Sequence, residues 1–70
     1  MVDFQYVDSS NVEQIGYDAD AVELHVIFKN GGCYIYSGVP AEVYDELMAA
    51  PSKGQFLNAR IKGVYDFRKC

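Results

Sequence analysis

Ser52, Lys53 and Gly54 bring a hydroxyl, an ammonium and a bare stretch of backbone together just after Pro51, and Arg60 and Lys62 follow on the same stretch. Where such a trio opens a helix, unpaired N–H groups and the positive end of the helix dipole lie beside the cation, a combination that favours phosphate. The tripeptide Tyr34-Ile35-Tyr36 supplies rings on which a base can stack. Phosphate contacts joined to stacking are the chemistry of single-stranded RNA or of a phosphate-bearing nucleotide. The candidate ligand-binding set is therefore Ser52, Lys53, Gly54, Asn58, Arg60 and Lys62, with Tyr34, Tyr36 or Tyr65 offering the stacking ring. A structural assignment competes with it, in which Ser52 only caps the helix and the cations only answer nearby acids.

Nothing in the sequence assembles a catalytic constellation. His25, the one histidine, stands within an alternating strand pattern with no Ser or Cys beside it. Asp18 and Asp20 flank a turn, where short acids serve backbone hydrogen bonding. A metal site needs more convergent ligands than these, and no Cys-x-x-Cys occurs. The chain reads as a non-enzyme without metal or cofactor. Of the two cysteines, Cys33 is expected to pack as a small hydrophobe and Cys70 to be a free thiol, a disulfide between them being the less favoured arrangement.

The elements that must position these residues are short and locally connected. Residues 3–8, 12–18, 21–29 and 33–38 read as strands. In the third, Val22, Leu24, Val26 and Phe28 alternate with Glu23, His25, Ile27 and Lys29, as in a strand with one buried face. Placing Asp18 opposite Ala21 pairs Tyr17 with Val22 and Ile15 with Leu24. At Asn30-Gly31-Gly32 two registers are open. A two-residue loop pairs Phe28 with Cys33 and turns Tyr34 and Tyr36 away from the core. A three-residue loop pairs Phe28 with Tyr34 and Val26 with Tyr36, burying the rings, and the double glycine favours it.

Residues 40–50 and 53–65 read as helices. Val43, Tyr44, Leu47 and Met48 form the apolar stripe of the first, and Leu57, Ile61, Val64 and Tyr65 that of the second. Ser52 and Gln55 match a capping box. The tail Asp66-Phe67-Arg68-Lys69-Cys70 reads as frayed. The expected fold is α+β, a four-stranded antiparallel sheet with both helices on one face and the other face at least partly open.

Seventy residues make one domain, and no apolar run is long enough to span a membrane. The N-terminus lacks a basic start and apolar block, so the expected location is cytoplasmic. Net charge is −4, which counts against non-specific nucleic-acid binding, but it divides into −8 over residues 1–46 and +4 over residues 47–70. One end can face an anion while the other meets a basic partner or a second copy.

Taken together, Ser9-Ser10-Asn11, Ile15-Gly16-Tyr17-Asp18, Leu24 to Phe28 with Asn30-Gly31, Tyr34-Ile35-Tyr36, Val39-Pro40 and Ser52 to Asn58 leading to Ile61-Lys62 make the chain resemble the KTSC domain. This is a short module found at the C-terminus of some lysyl-tRNA synthetases and alone in bacterial and phage proteins. The resemblance implies a family of unknown activity for which RNA binding has been proposed by association with a tRNA-charging enzyme. Ile35 departs from the family's tendency to a polar residue between the tyrosines. That makes the face with His25 and Ile27 greasier, suited to another protein. The leading expectation is a binding module for RNA or a nucleotide, and the rival is a protein-interaction module, such as a phage-encoded inhibitor or a homo-oligomer.

Overall fold

In a computed structural model that describes residues 2–70, five strands form one antiparallel sheet: β1 (Asp3–Tyr6), β2 (Val12–Asp18), β3 (Glu23–Phe28), β4 (Cys33–Ser37) and β5 (Phe67–Lys69). They lie side by side in chain order, β1-β2-β3-β4-β5. Two helical segments stand between β4 and β5: α1 (Ala41–Ala49), and α2 (Lys53–Phe56), which runs directly into a π-helical turn over Leu57–Ile61. The class is α+β, as expected, with one strand more than the sequence pattern announced.

The helices cover one sheet face. Ile15 of β2, Leu24 and Val26 of β3 and Tyr36 of β4 meet Leu47 of α1 and Leu57 and Ile61 of the second helical segment, all of them buried. A register shift between Val12 and Gln14 lets Val12 and Ile15, three residues apart, both face this core. Tyr17 extends it: its ring stacks on Tyr44 of α1 at 5.0 Å, and its hydroxyl donates to the buried Val39 carbonyl at 2.6 Å.

Both hairpin registers differ from those expected, though the residues that remain paired keep their expected faces. Tyr17 lies opposite Leu24 and Ile15 opposite Val26, two positions further along than forecast. Val22 is left in the turn with φ 55° and half-exposed, because the Asp18 carboxylate accepts from the Asp20 and Ala21 N–H groups and closes a longer loop. At the next hairpin Tyr34 faces Val26 and Tyr36 faces Leu24. The loop is Lys29-Asn30-Gly31, closed by Phe28 N–H to Gly32 carbonyl at 2.8 Å, with Gly31 at φ 94°. The positive φ is needed one residue earlier than the double glycine suggested, so the pairs slide by two and the parity survives.

The chain's end departs most from expectation. Cys33 and Cys70 form a disulfide, where a packed cysteine and a free thiol were expected. The tail is paired as β5: Tyr34 faces Lys69, Ile35 faces Arg68 and Tyr36 faces Phe67. The second helix ends at Ile61, short of the expected residue 65, because Gly63 turns the chain at φ 78° and leaves Val64 exposed. The wide turn, closed by Lys62 N–H to Leu57 carbonyl at 2.8 Å, keeps Leu57 and Ile61 both in the core.

The sheet's other face is less open than expected. Phe4, Gly16, His25, Ile35 and Arg68 form one row across all five strands. A Cβ at Gly16 would stand 3.0 Å from the Phe4 ring, so the missing side chain leaves room for Phe4 there. Phe4 meets His25 edge-on at 5.9 Å, and Ile35 retains only 9% exposure.

Candidate ligand groove at the turn end of the sheet

The residues singled out in the sequence divide into three groups in space. Ser52 caps α2, its hydroxyl oxygen accepting from Gln55 N–H at 3.3 Å. Lys53 turns back on α1 and donates to the carbonyls of Met48 at 3.0 Å and Ala50 at 2.8 Å, neutralising the end of a helix whose own last turn has no base. Gly54 lies against the first turn, where a Cβ would fall 2.8 Å from Asn11 Oδ1. These three fasten α2 to its surroundings.

Arg60 forms the second group, paired with Glu46 at 3.0 Å and laid over the Phe56 ring at 5.1 Å. Asn58 is exposed beside it in sequence, and Tyr65 packs half-buried against the core.

Lys62, Tyr34 and Tyr36 form the third group, and they do converge. Lys62 follows the π-helical turn and places its ammonium 5.4 Å above the Phe28 ring. Phe28 meets Tyr34 edge-on at 5.5 Å, and Tyr34 meets Tyr36 at 6.5 Å. Between them and the two neighbouring turns lies an open groove of about 410 Å³ lined by Ser10, Asn11, Phe28, Lys29, Asn30, Gly32, Tyr34 and Lys62. A smaller depression of about 230 Å³, bounded by Tyr34, Tyr36, Lys62, Gly63 and Phe67, lies across the same lysine and tyrosine.

The turns that wall the groove are set by their own side chains. Ser9 Oγ accepts from the N–H groups of Asn11 and Val12 at 3.4 and 3.3 Å, fixing the bend before β2. Asn30 Oδ1 accepts from Gly32 N–H at 2.9 Å within the β3–β4 loop. Lys29 N–H donates to the Asn11 carbonyl at 2.9 Å and joins the two turns.

The cations of the molecule sort themselves around this groove. Lys53 is engaged with carbonyls, and Arg60 and Arg68 with Glu46 and Glu23. Among the described residues, Lys29, Lys62 and Lys69 form no ion pair with a carboxylate. Lys29 and Lys62 line the groove, and Lys69 Nζ stands 5.9 Å from the Tyr34 ring centre. Half the bases of an acidic protein are thus uncompensated and gathered about one tyrosine. Sequence reasoning missed Lys29, Lys69, Phe28, Asn11 and Asn30, since only the folded sheet brings two turns and a late strand to one end. Burial, followed by the neighbouring Tyr34, raises the Tyr36 hydroxyl's pKa above the ordinary tyrosine value. The ring serves as neutral floor. Among the described residues, no group of three or more His, Cys, Asp or Glu is placed to hold a metal, and no helix is long and apolar enough to cross a membrane.

Residues 8–65 match the family model of the KTSC domain. A protein of Tsukamurella paurometabola is 45% identical over 58 residues, covering 83% of this chain and 87% of its own length. The lysine–tRNA ligase of Nostoc punctiforme is 37% identical over 62 residues, which are 89% of this chain and 11% of the ligase. The crystal structure of a KTSC domain protein from Yersinia pestis superposes with a TM-score of 0.97 at 40% identity, over 100% of this chain and 99% of that one.

Proposed function

This chain belongs to the KTSC domain family, and from that premise we propose that it is a non-catalytic binding module for single-stranded RNA, or for a phosphate-bearing nucleotide, working in the cytoplasm. The ligand lies in the groove over Phe28 and Tyr34. The observation that carries this reading is the convergence of Lys29, Lys62 and Lys69, all without carboxylate partners among the described residues, on two half-buried aromatic rings. Lysines hold phosphates as point charges, and aromatic faces accept any base, so the site reads backbone and stacking more than sequence. The lysine–tRNA ligases that carry a homologous stretch are proteins with RNA business, which agrees with such a ligand.

A titration of isotope-labelled protein with oligo-uridine RNA at low and moderate salt tests this. Shifts are expected at Asn11, Lys29, Tyr34 and Lys62, with binding that weakens as salt rises and is lost in Lys62→Glu. Shifts confined to Ser52, Asn58 and Arg60 would move the ligand to the helix surface. A flat response at millimolar-sensitive protein concentration would refute the proposal.

A further inference from the structure

We propose that the Cys33–Cys70 disulfide is a redox latch that holds the Tyr34 flank of the ligand groove in place; this rests on the ligand reading above. The last strand supplies two side chains that flank the groove at Tyr34 without lining it. Phe67 stacks on Tyr34 at 5.4 Å and 24° and bounds the smaller depression, and Lys69 stands over the same ring. Yet β5 is three residues long and exposed throughout. Its hold on the sheet besides the disulfide is limited: Cys70 N–H to Cys33 carbonyl at 3.0 Å, Ser37 N–H to Asp66 carbonyl at 2.8 Å, the short β4 pairing, one pair between Arg68 and Glu23, and the Phe67 ring against Tyr34 and Tyr36. A solvated edge strand of this length frays unless it is tied down. The disulfide ties it at the end that bears Lys69.

The sulfurs are placed for exchange. Cys70 is exposed and Cys33 half-buried. A thiolate of a dithiol reductant attacks Cys70 Sγ and forms a mixed disulfide as the bond to Cys33 breaks. Cys33 leaves as thiolate and takes a proton from water. The reductant's second thiol, losing its proton to solvent, attacks the reductant sulfur of the mixed disulfide and expels Cys70 as a thiolate that takes a proton from water, so two electrons pass to the chain and the reductant leaves as its own disulfide. The reduced chain keeps Phe28, Tyr34, Lys29 and Lys62 but releases Phe67 and Lys69. The oxidised form is therefore the tighter binder.

Amide hydrogen exchange on the intact chain, oxidised and in dithiothreitol, reads the strand directly. On reduction the Ser37 and Cys70 amides are expected to exchange about tenfold faster or more, while those of β2 and β3 hold their rates. In parallel, oligo-uridine RNA binds about tenfold more weakly to the reduced chain. The slope of log affinity against log salt falls in magnitude by about 0.7, one phosphate contact on a single strand. Cys70→Ser reproduces the reduced behaviour in both measurements. Equal exchange in both forms, or acceleration of every amide together, overturns the latch. Faster exchange at Ser37 and Cys70 with equal RNA affinity overturns its regulatory role. The same acceleration with no RNA bound by either form overturns the ligand reading instead.

Discussion

Removing the disulfide by Cys70→Ser should cost a large share of the stability of so small a domain. The bond links residues 37 apart in sequence. In the chain-entropy treatment such a link withholds about 13 cal/mol/K from the unfolded chain, or about 4 kcal/mol at 25 °C. The native state recovers part of this, because β5 gains motion when freed, so the measured loss should lie near 3 kcal/mol. At 4–8 °C per kcal/mol for a domain of this size, the midpoint of thermal unfolding should fall by about 12–24 °C. Urea unfolding followed by circular dichroism is the assay, comparing the oxidised wild type, the reduced wild type and Cys70→Ser. The m-value should rise when the link is cut, since an unlinked unfolded chain exposes more surface. A loss below about 1 kcal/mol with an unchanged m-value would refute the reasoning, because the link would then not be constraining the unfolded ensemble.

Three further perturbations test side chains to which the fold gives structural contacts. Lys53→Met removes two charge-assisted bonds to the carbonyls ending α1 and should lower the urea stability by about 1–3 kcal/mol, with the RNA titration unaffected. Arg60→Ala breaks a pair whose members are 53% and 54% exposed, so its urea midpoint should move by less than about 1 kcal/mol. Tyr17→Phe leaves the buried Val39 carbonyl without its donor and should cost about 1–2 kcal/mol by the same assay. The alkaline limb belongs to the same residue. Burial, then Asp18 and Asp45, raise the Tyr17 hydroxyl's pKa, and burial then Tyr34 raise that of Tyr36. The unfolded chain therefore loses these protons first, so stability is full below pH 10 and falls as the pH rises above it. Thermal midpoints across that range should decline, and less steeply in Tyr17→Phe.

The alternation of Leu24, Val26 and Phe28 with Glu23, His25 and Ile27 was enough to place the core face, and the stripe of Val43, Tyr44, Leu47 and Met48 enough to place α1 on it. Faces depend only on parity, so they survived hairpin registers that each slid by two. What parity cannot supply is the loop that sets the register, which here turned on where a positive φ falls, at Gly31 and at Val22. β5 was illegible for a different reason. Its three residues carry no period of their own, and their strand state is imposed by the edge of β4 and by a cysteine pairing that spacing does not reveal. The three candidates that line the groove and its neighbouring depression, Lys62, Tyr34 and Tyr36, share that cause. Lys62 and Tyr34 stood out as residue types, but their convergence with Lys29 and Lys69 depends on turns and a strand far apart in the chain. Lys53 shows the converse: a cation at a helix start looked aimed at an anion, and the carbonyls of the preceding helix claimed it.

Because strand order in space repeats strand order in the chain, assembly can follow synthesis. β2, β3 and β4 each find a neighbour in the strand made just before, and these pairings close over short loops, the condition for rapid folding. The exception is β5, which must return to β4 across the whole helical segment. Among the described residues it is the one non-local strand pairing, and it comes last, onto an edge that waits unpaired until then. The time between completing β4 and sealing that edge is the interval in which another strand could add in its place. The thiol chemistry that closes it runs over seconds to hours, long compared with folding itself, so the supply of oxidant decides how long the edge stays available.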